Sequence, residues 1–136
     1  MISTRGRYSL RVLVDLAQNG RGDFIPMKDV ATRQNISLKY LEQILPILTK
    51  NKFVETAHGK GGGYRLAMEP SKIIIGDVLR LTEKDLAPVA CLAEGAAECN
   101  RKKICPTLDF WQGLNDVINE YLNGKTIADL SGLPGN

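Results

Sequence analysis

Three cysteines, Cys91, Cys99 and Cys105, fall within 15 residues, and the other 121 residues of the chain hold none. Thiolate is the form of cysteine that binds soft metals and iron-sulfur clusters, so three thiols at the spacing C-x7-C-x5-C are candidate ligands. Oxidation to one disulfide with a thiol left over is the competing chemistry, disfavoured in a reducing cytosol but usable as a redox switch. One buried cysteine would be an ordinary core residue. Structural zinc is a poor match, because it normally takes four protein ligands in paired C-x2-C spacings and the single histidine, His58, lies far upstream. A cluster also needs about four ligands, so three thiolates with a fourth group unidentified make an exposed, exchangeable site that suits a sensor.

The elements around this segment follow from periodicity. Leu10, Leu13, Val14, Leu16 and Ala17 recur at helical spacing and predict a helix from about Thr4 to Asn19, stopped by Gly20 and Gly22, with Arg7 and Arg11 on its other face. Met27 to Gln34 read as a short second helix burying Val30 and Ala31, opened by Pro26, and Asn35 marks a turn. Ser37 caps a third helix from Leu38 to about Lys50, with Leu41, Ile44, Leu45 and Leu48 inside and Lys39, Tyr40, Glu42 and Gln43 projecting from its first turns. Pro46 removes a backbone bond and predicts a kink between an outward first half and a buried second half. Phe53 to Ala57 and Tyr64 to Ala67, joined by His58-Gly-Lys-Gly-Gly-Gly63, predict a hairpin with a flexible basic tip.

This order is that of a winged helix-turn-helix, so the fold class expected is mainly α with a small β-hairpin wing. Ile73 to Ile75 look strand-like and Gly76 to Thr82 form a short helix. Residues 84 to 105 show no period and carry the basic run Arg101-Lys-Lys103, which for about 20 irregular residues in a small domain signals a functional or disordered segment. Pro106 opens a long helix to about Asn123 with an apolar stripe of Leu108, Trp111, Leu114, Val117, Ile118, Tyr121 and Leu122, read as a dimerisation helix. The divisions expected are 1–82 for DNA binding, 83–105 for the cysteine loop and 106–136 for the dimerisation helix and tail.

Charge fits this division. The chain is +3 overall, yet residues 1–72 hold 12 Lys or Arg against 6 acids, and the remainder is −3, so the basic surface for a polyanion lies in the N-terminal half. At 136 residues the chain is one ordinary domain, burying roughly two-thirds of its unfolded surface without needing a disulfide or metal to fold. Its apolar runs fall far short of the roughly 20 residues that span a bilayer, and no signal-type N-terminus is present, so no membrane association and a cytoplasmic location are expected.

Five stretches carry a resemblance over nearly the whole chain: Thr4-Arg-Gly-Arg-Tyr8, Ile36-Ser-Leu-Lys-Tyr-Leu-Glu-Gln43, Gly59-Lys-Gly-Gly-Gly-Tyr64, the three-cysteine loop, and Cys105-Pro-Thr-Leu-Asp-Phe-Trp111. Together they resemble the Rrf-type family of bacterial winged helix-turn-helix transcriptional regulators, in its branch that binds an iron-sulfur cluster. The resemblance implies a homodimer crossed through the long C-terminal helices, a 2Fe-2S cluster on Cys91, Cys99 and Cys105, and repression of cluster-biogenesis genes, with cluster-assembly proteins as donors. It implies that Ser37, Lys39, Tyr40, Glu42 and Gln43 face the major groove of an operator. His58, Gly59 and Lys60 would reach the minor groove or backbone. The chemistry agrees: Gln43 can pair with an adenine edge, Glu42 can accept from cytosine N4, and Lys39 can take phosphate or guanine.

The sequence departs from that pattern in several places. Where the family's 2Fe-2S pattern has a histidine three places after the last cysteine, this chain has Leu108, which offers iron no donor. The fourth ligand is therefore unassigned among Glu94, Glu98, Asp109, a group from the partner subunit and an exogenous thiol. The nitric-oxide-sensing branch uses an acid in the first helix of the other subunit, but the matching place here is near Arg7. The first two cysteines are separated by seven residues rather than five, and His58 stands where the family often has arginine. The alternative to a cluster sensor is a family member without a cluster, controlled by a partner protein or by thiol oxidation. An enzyme is not expected, because no catalytic dyad accompanies the lone His58.

Overall fold

The computed structural model describes residues 2–97 and 101–132. Six α-helices and one hairpin follow in the order α1 (Thr4–Asn19), α2 (Met27–Gln34), α3 (Leu38–Lys50), β1 (Val54–Ala57), β2 (Gly63–Leu66), α4 (Ile75–Thr82), α5 (Leu108–Asn123) and α6 (Ile127–Ser131), with 3-10 turns at Pro70–Lys72 and Ala90–Leu92. The class is mainly helical and the element order is that of a winged helix-turn-helix. Ser3 caps α1 by accepting from the Gly6 N–H at 3.1 Å, and Ser37 caps α3 by accepting from the Tyr40 N–H at 3.1 Å. Between α2 and α3 the turn is made by Asn35 in the left-handed conformation, φ 53°, a region its short polar side chain tolerates.

One core joins these elements. Val12 and Leu13 of α1, Val30 of α2, Leu41, Ile44 and Leu48 of α3, Val54 of β1, Ile73, Val78 of α4 and Ile127 of α6 are all fully or almost fully buried. Val12 takes the deep position on α1, while Leu10 and Val14 are only partly buried. α3 runs unbroken through Pro46, and Leu41, Ile44, Leu45 and Leu48 are buried along its whole length. Burial is concentrated in the second half, at Ile44, Leu45 and Leu48, while Leu41 is the one buried residue of the first half. Pro46 withholds only the bond to the Glu42 carbonyl, and packing of both halves holds the helix together.

β1 and β2 pair antiparallel in the register Val54 to Leu66 and Ala57 to Gly63, and the ladder extends one step to Phe53, whose carbonyl accepts from Ala67 at 2.9 Å. On the other edge of β2, Ile25 forms a single bridge, exchanging two bonds of 2.8 Å with Tyr64. The strand-like Ile73–Ile75 is a single bridge: Ile74 pairs with Thr126, and α4 begins at Ile75. α5 begins at Leu108, two residues later than Pro106. α6 packs on α1, held by the capping box of Thr126 and Asp129. At the other end of the chain, the Ser3 N–H and hydroxyl donate to Glu83, and Arg5 donates twice to the Thr82 carbonyl, which ties α1 to the end of α4.

Candidate nucleic-acid interface and cysteine segment

Ser37, Lys39, Glu42 and Gln43 are exposed on the outer side of α3, opposite the buried Leu41 and Ile44. The Ser37 hydroxyl oxygen is occupied as the cap acceptor, which leaves its proton available to an outside acceptor. Tyr40 differs from its neighbours. It is half-buried, its ring edge-on to Tyr8 of α1 with centroids 5.3 Å apart and planes at 73°.

At the wing, His58, Gly59 and Lys60 are exposed at the tip. The tip turns by a bond from the Gly62 N–H to the Gly59 carbonyl, and Gly59 and Gly61 take φ of +87° and +77°, where a side chain would strain the backbone. The wing's base is rigid: Arg65 pairs with Glu55 at 2.5 Å, donates to the Gly22 carbonyl and lies over the Phe24 ring.

A polar lock that periodicity did not reveal holds α2 in place. Asp15, with a fully buried side chain on α1, accepts from Arg33 Nε at 3.0 Å, Arg33 Nη2 at 2.7 Å and Gln34 Nε2 at 2.9 Å. The hydrogen bonds to Asp15 raise the pKa of Arg33 above its ordinary value. Arg11 adds a second tie, donating to the side chain and the backbone carbonyl of Gln34. The signal in the sequence was a lone acid inside the apolar stripe of the first helix, a position that demands a partner.

In the cysteine segment, Cys91 is exposed and Cys105 half-buried, and both are free thiols. Cys99 and Glu98 lie outside the described residues. Asp85 orders the first part of the segment, its carboxylate accepting from the Ala87 N–H at 2.6 Å and the Glu94 N–H at 3.0 Å. Cys105 stands just before α5, 3.5 Å from the Thr107 hydroxyl. Its pKa is lowered, chiefly by the Thr107 side-chain hydrogen bond, then by backbone N–H donors of Thr107 and Leu108 and the charge of Arg101. The donor chemistry fits a soft metal or cluster, since Cys91 and Cys105 are free and accessible thiols. Glu94 and Asp109 are exposed, and Leu108, half-buried, offers no donor. Among the described residues no three His, Cys, Asp or Glu side chains converge on one point.

The broad apolar stripe of α5 is covered by its own chain along one edge only. Leu108, Trp111, Ile118 and Leu122 are half-buried toward the body of the chain. Along the adjoining edge, Phe110 at 66%, Leu114 at 37%, Val117 at 62% and Tyr121 at 65% are exposed. No residue of α5 is fully buried by its own chain. Among the described residues no helix is long and apolar enough to cross a membrane.

A helix-turn-helix with an exposed polar recognition face, followed by a glycine-rich basic wing, defines a winged-helix DNA-binding protein. Residues 2–132 match the Rrf2 family, described as iron-dependent transcriptional regulators, and the chain belongs to that family. It is a transcriptional regulator and not an enzyme. The chain is 38% identical over 129 residues to protein rrf2 of Nitratidesulfovibrio vulgaris, covering 95% of this chain and 85% of that one. It is 33% identical to the HTH-type transcriptional regulator IscR of Escherichia coli, covering 95% and 78%. The solved structure of CymR, the global cysteine regulator of B. subtilis, superposes with a TM-score of 0.80 at 33% identity, covering 97% of this chain and 96% of that one.

Proposed function

We propose that this regulator binds its operator as a cytoplasmic homodimer and reports the state of a 2Fe-2S cluster held by Cys91, Cys99 and Cys105, acting mainly as a repressor of cluster-biogenesis genes. The observation that carries the reading is geometric: Cys105, a free thiol, stands three residues before α5, the helix that leaves Phe110, Val117 and Tyr121 bare. Lys39, Glu42 and Gln43, with Ser37 and Tyr40, would read the major groove, while His58, Gly59 and Lys60 would contact the minor groove or backbone. Two such units related by a two-fold axis suit the paired half-sites of duplex DNA.

The seam on α5 supports the dimer. Phe110, Leu114, Val117 and Tyr121 recur at steps of four, three and four, the spacing of one helix face. Beside it lies a groove of about 520 Å3 lined by Ile2, Leu86, Pro88, Val117 and Tyr121, among others. A second copy of α5 would cover both.

Cys91, Cys99 and Cys105 would hold the cluster, which supplies a labile, redox-active tie between them when bound. This chain's own residues do the rest. Asp85 ties together the backbone on either side of Cys91, Thr107 and Arg101 lower the pKa of Cys105, and α5 runs from just after Cys105 along the proposed dimer seam. A change in the segment alters DNA affinity only insofar as it favours one arrangement of the paired units. Cluster-assembly proteins are the proposed donors.

Anaerobic reconstitution with iron and sulfide, followed by absorbance and Mössbauer spectroscopy, tests the cluster. Retention by the wild type and loss in Cys105→Ala is the expected result; no retention, or equal retention by Cys91→Ala, refutes it. Leu108 favours a second reading, because it removes the expected fourth donor. Under that reading the chain has no cluster and is controlled by a partner protein or by oxidation of Cys105. Full operator binding by metal-free protein, modulated by peroxide or by an added partner enzyme, would establish it.

A further inference from the structure

Tyr40 is the one proposed DNA-facing residue of α3 whose side chain is held by another element. Its ring meets the Tyr8 ring edge-on, and the Arg11 guanidinium lies 5.1 Å from the centre of that same Tyr8 ring. Arg11 would ordinarily be read as a phosphate contact, since it is a cation on the exposed face of α1. Its donors point elsewhere. Nε donates to the Gln34 side chain at 3.2 Å, and Nη2 donates to the Gln34 carbonyl. That carbonyl ends α2, where the last turn has acceptors without helical donors. The Gln34 amide in turn donates to Asp15, whose side chain is fully buried.

We infer that Tyr8 and Arg11 are positioning residues for base recognition. The contacts form one chain, from buried Asp15 through Gln34, Arg11 and Tyr8 to Tyr40, with the core at one end and the recognition helix at the other. An edge-on aromatic pair is directional, unlike aliphatic packing, so it fixes the rotation of the Tyr40 ring and the roll of the first turn of α3. The first two turns carry Lys39, Glu42 and Gln43, and bidentate readout of a base edge tolerates little displacement. Loss of the strut should therefore reduce discrimination between sequences and leave attraction to phosphate intact. The inference rests on the proposed reading that α3 faces DNA.

Duplexes selected by the full wild-type chain from a randomised pool serve as the specific target, with a shuffled duplex of equal composition as comparator. Affinity for both is measured over a salt series, with melting curves recorded for each variant. Tyr8→Phe keeps the ring pair and should behave as wild type. Tyr8→Leu and Arg11→Lys should each lower the ratio of selected to shuffled affinity by about 3- to 10-fold, with no change in salt slope. If Arg11→Lys keeps the ratio while Arg11→Gln lowers the salt slope by about one, Arg11 is a phosphate contact and the inference is overturned. It is also overturned if Tyr8→Leu lowers only the melting temperature. If Tyr8→Leu does not fold, Arg11→Lys decides alone, because it leaves the ring pair in place. Should Tyr40→Ala and Gln43→Ala both leave the ratio unchanged, or the pool yield no enriched duplex, the DNA-face reading fails and the inference with it. If those two lower the ratio while Tyr8→Leu and Arg11→Lys do not, only the inference fails.

Discussion

Replacing Asp15 with alanine removes a carboxylate that is fully buried and accepts three hydrogen bonds from Arg33 and Gln34. Hydrogen bonds to charged groups contribute about 1.5–3 kcal/mol each, and stripping one partner from a buried ion pair costs about 3–5 kcal/mol. The two partners are unequally placed, however, since the Arg33 side chain is 37% exposed and Asp15 is not exposed at all. After Asp15→Ala the guanidinium can turn to water, so the expected loss is about 2–3 kcal/mol. Arg33→Ala should cost more, about 3–4 kcal/mol, because it strands the carboxylate in the core with Gln34 alone. The double variant should be less unstable than the two single effects together, by about 0.5–3 kcal/mol. Urea unfolding at one fixed protein concentration measures all three, the concentration mattering because dimerisation shifts apparent stability. In thermal scans Asp15→Ala should melt lower by about 6–15 °C for a chain of this size. A loss below about 1 kcal/mol for Asp15→Ala, or a smaller loss for Arg33→Ala than for Asp15→Ala, would refute the reasoning about burial.

Three further outcomes follow from other places in the fold. Val117→Glu puts a charge in the exposed middle of the α5 seam, so the chain should stay folded but elute as a monomer by light scattering; a persistent dimer would place the interface elsewhere. With the other two cysteines replaced by alanine and the protein metal-free, alkylation of Cys105 should rise with pH with its inflection at a lower pH than that of an unstructured cysteine peptide measured alongside, because its pKa is lowered. Thr107→Val removes the largest cause and should move that inflection upward; an unmoved inflection would exclude the hydroxyl as the source. Gly63→Ala forces a side chain onto a backbone with φ +149° and against the Ile25 carbonyl, so the wing should lose about 1–3 kcal/mol of local stability and its amides exchange faster with solvent.

The winged module was readable from residue types because its signals are local. Ser37 at a cap, Asn35 at a left-handed turn and glycines at the wing tip each act through their own backbone. What escaped was non-local. α6 is five residues long, too short to be stable in isolation, and exists because Ile127 and Ala128 bury against the core and Thr126 and Asp129 cap each other. Its Thr-x-x-Asp spacing was the only available hint. The proline at Pro46 does not end α3, because Leu41 before it and Leu48 after it are both buried in the core. In the candidate site, exposure of Lys39, Glu42, Gln43 and the wing tip agrees with a surface for DNA, whereas the Tyr8–Tyr40 pair depends on how two helices meet. The apolar residues of α5 form one broad stripe, and a list of positions does not say which edge of it the body of the chain will cover.

The attachment of α5 is uneven along its length. Its C-terminal end is fastened by Arg80 to Asn119, by the Ile75 N–H to the Lys125 carbonyl, and by the Ile74 to Thr126 bridge. Its N-terminal end, beside Cys105, has Phe110 largely in solvent. Sixteen residues at 1.5 Å make α5 about 24 Å long, so Cys105 stands at the opposite end of the helix from these anchors. A second copy laid along the exposed seam would therefore hold the part of α5 that its own chain leaves unfastened.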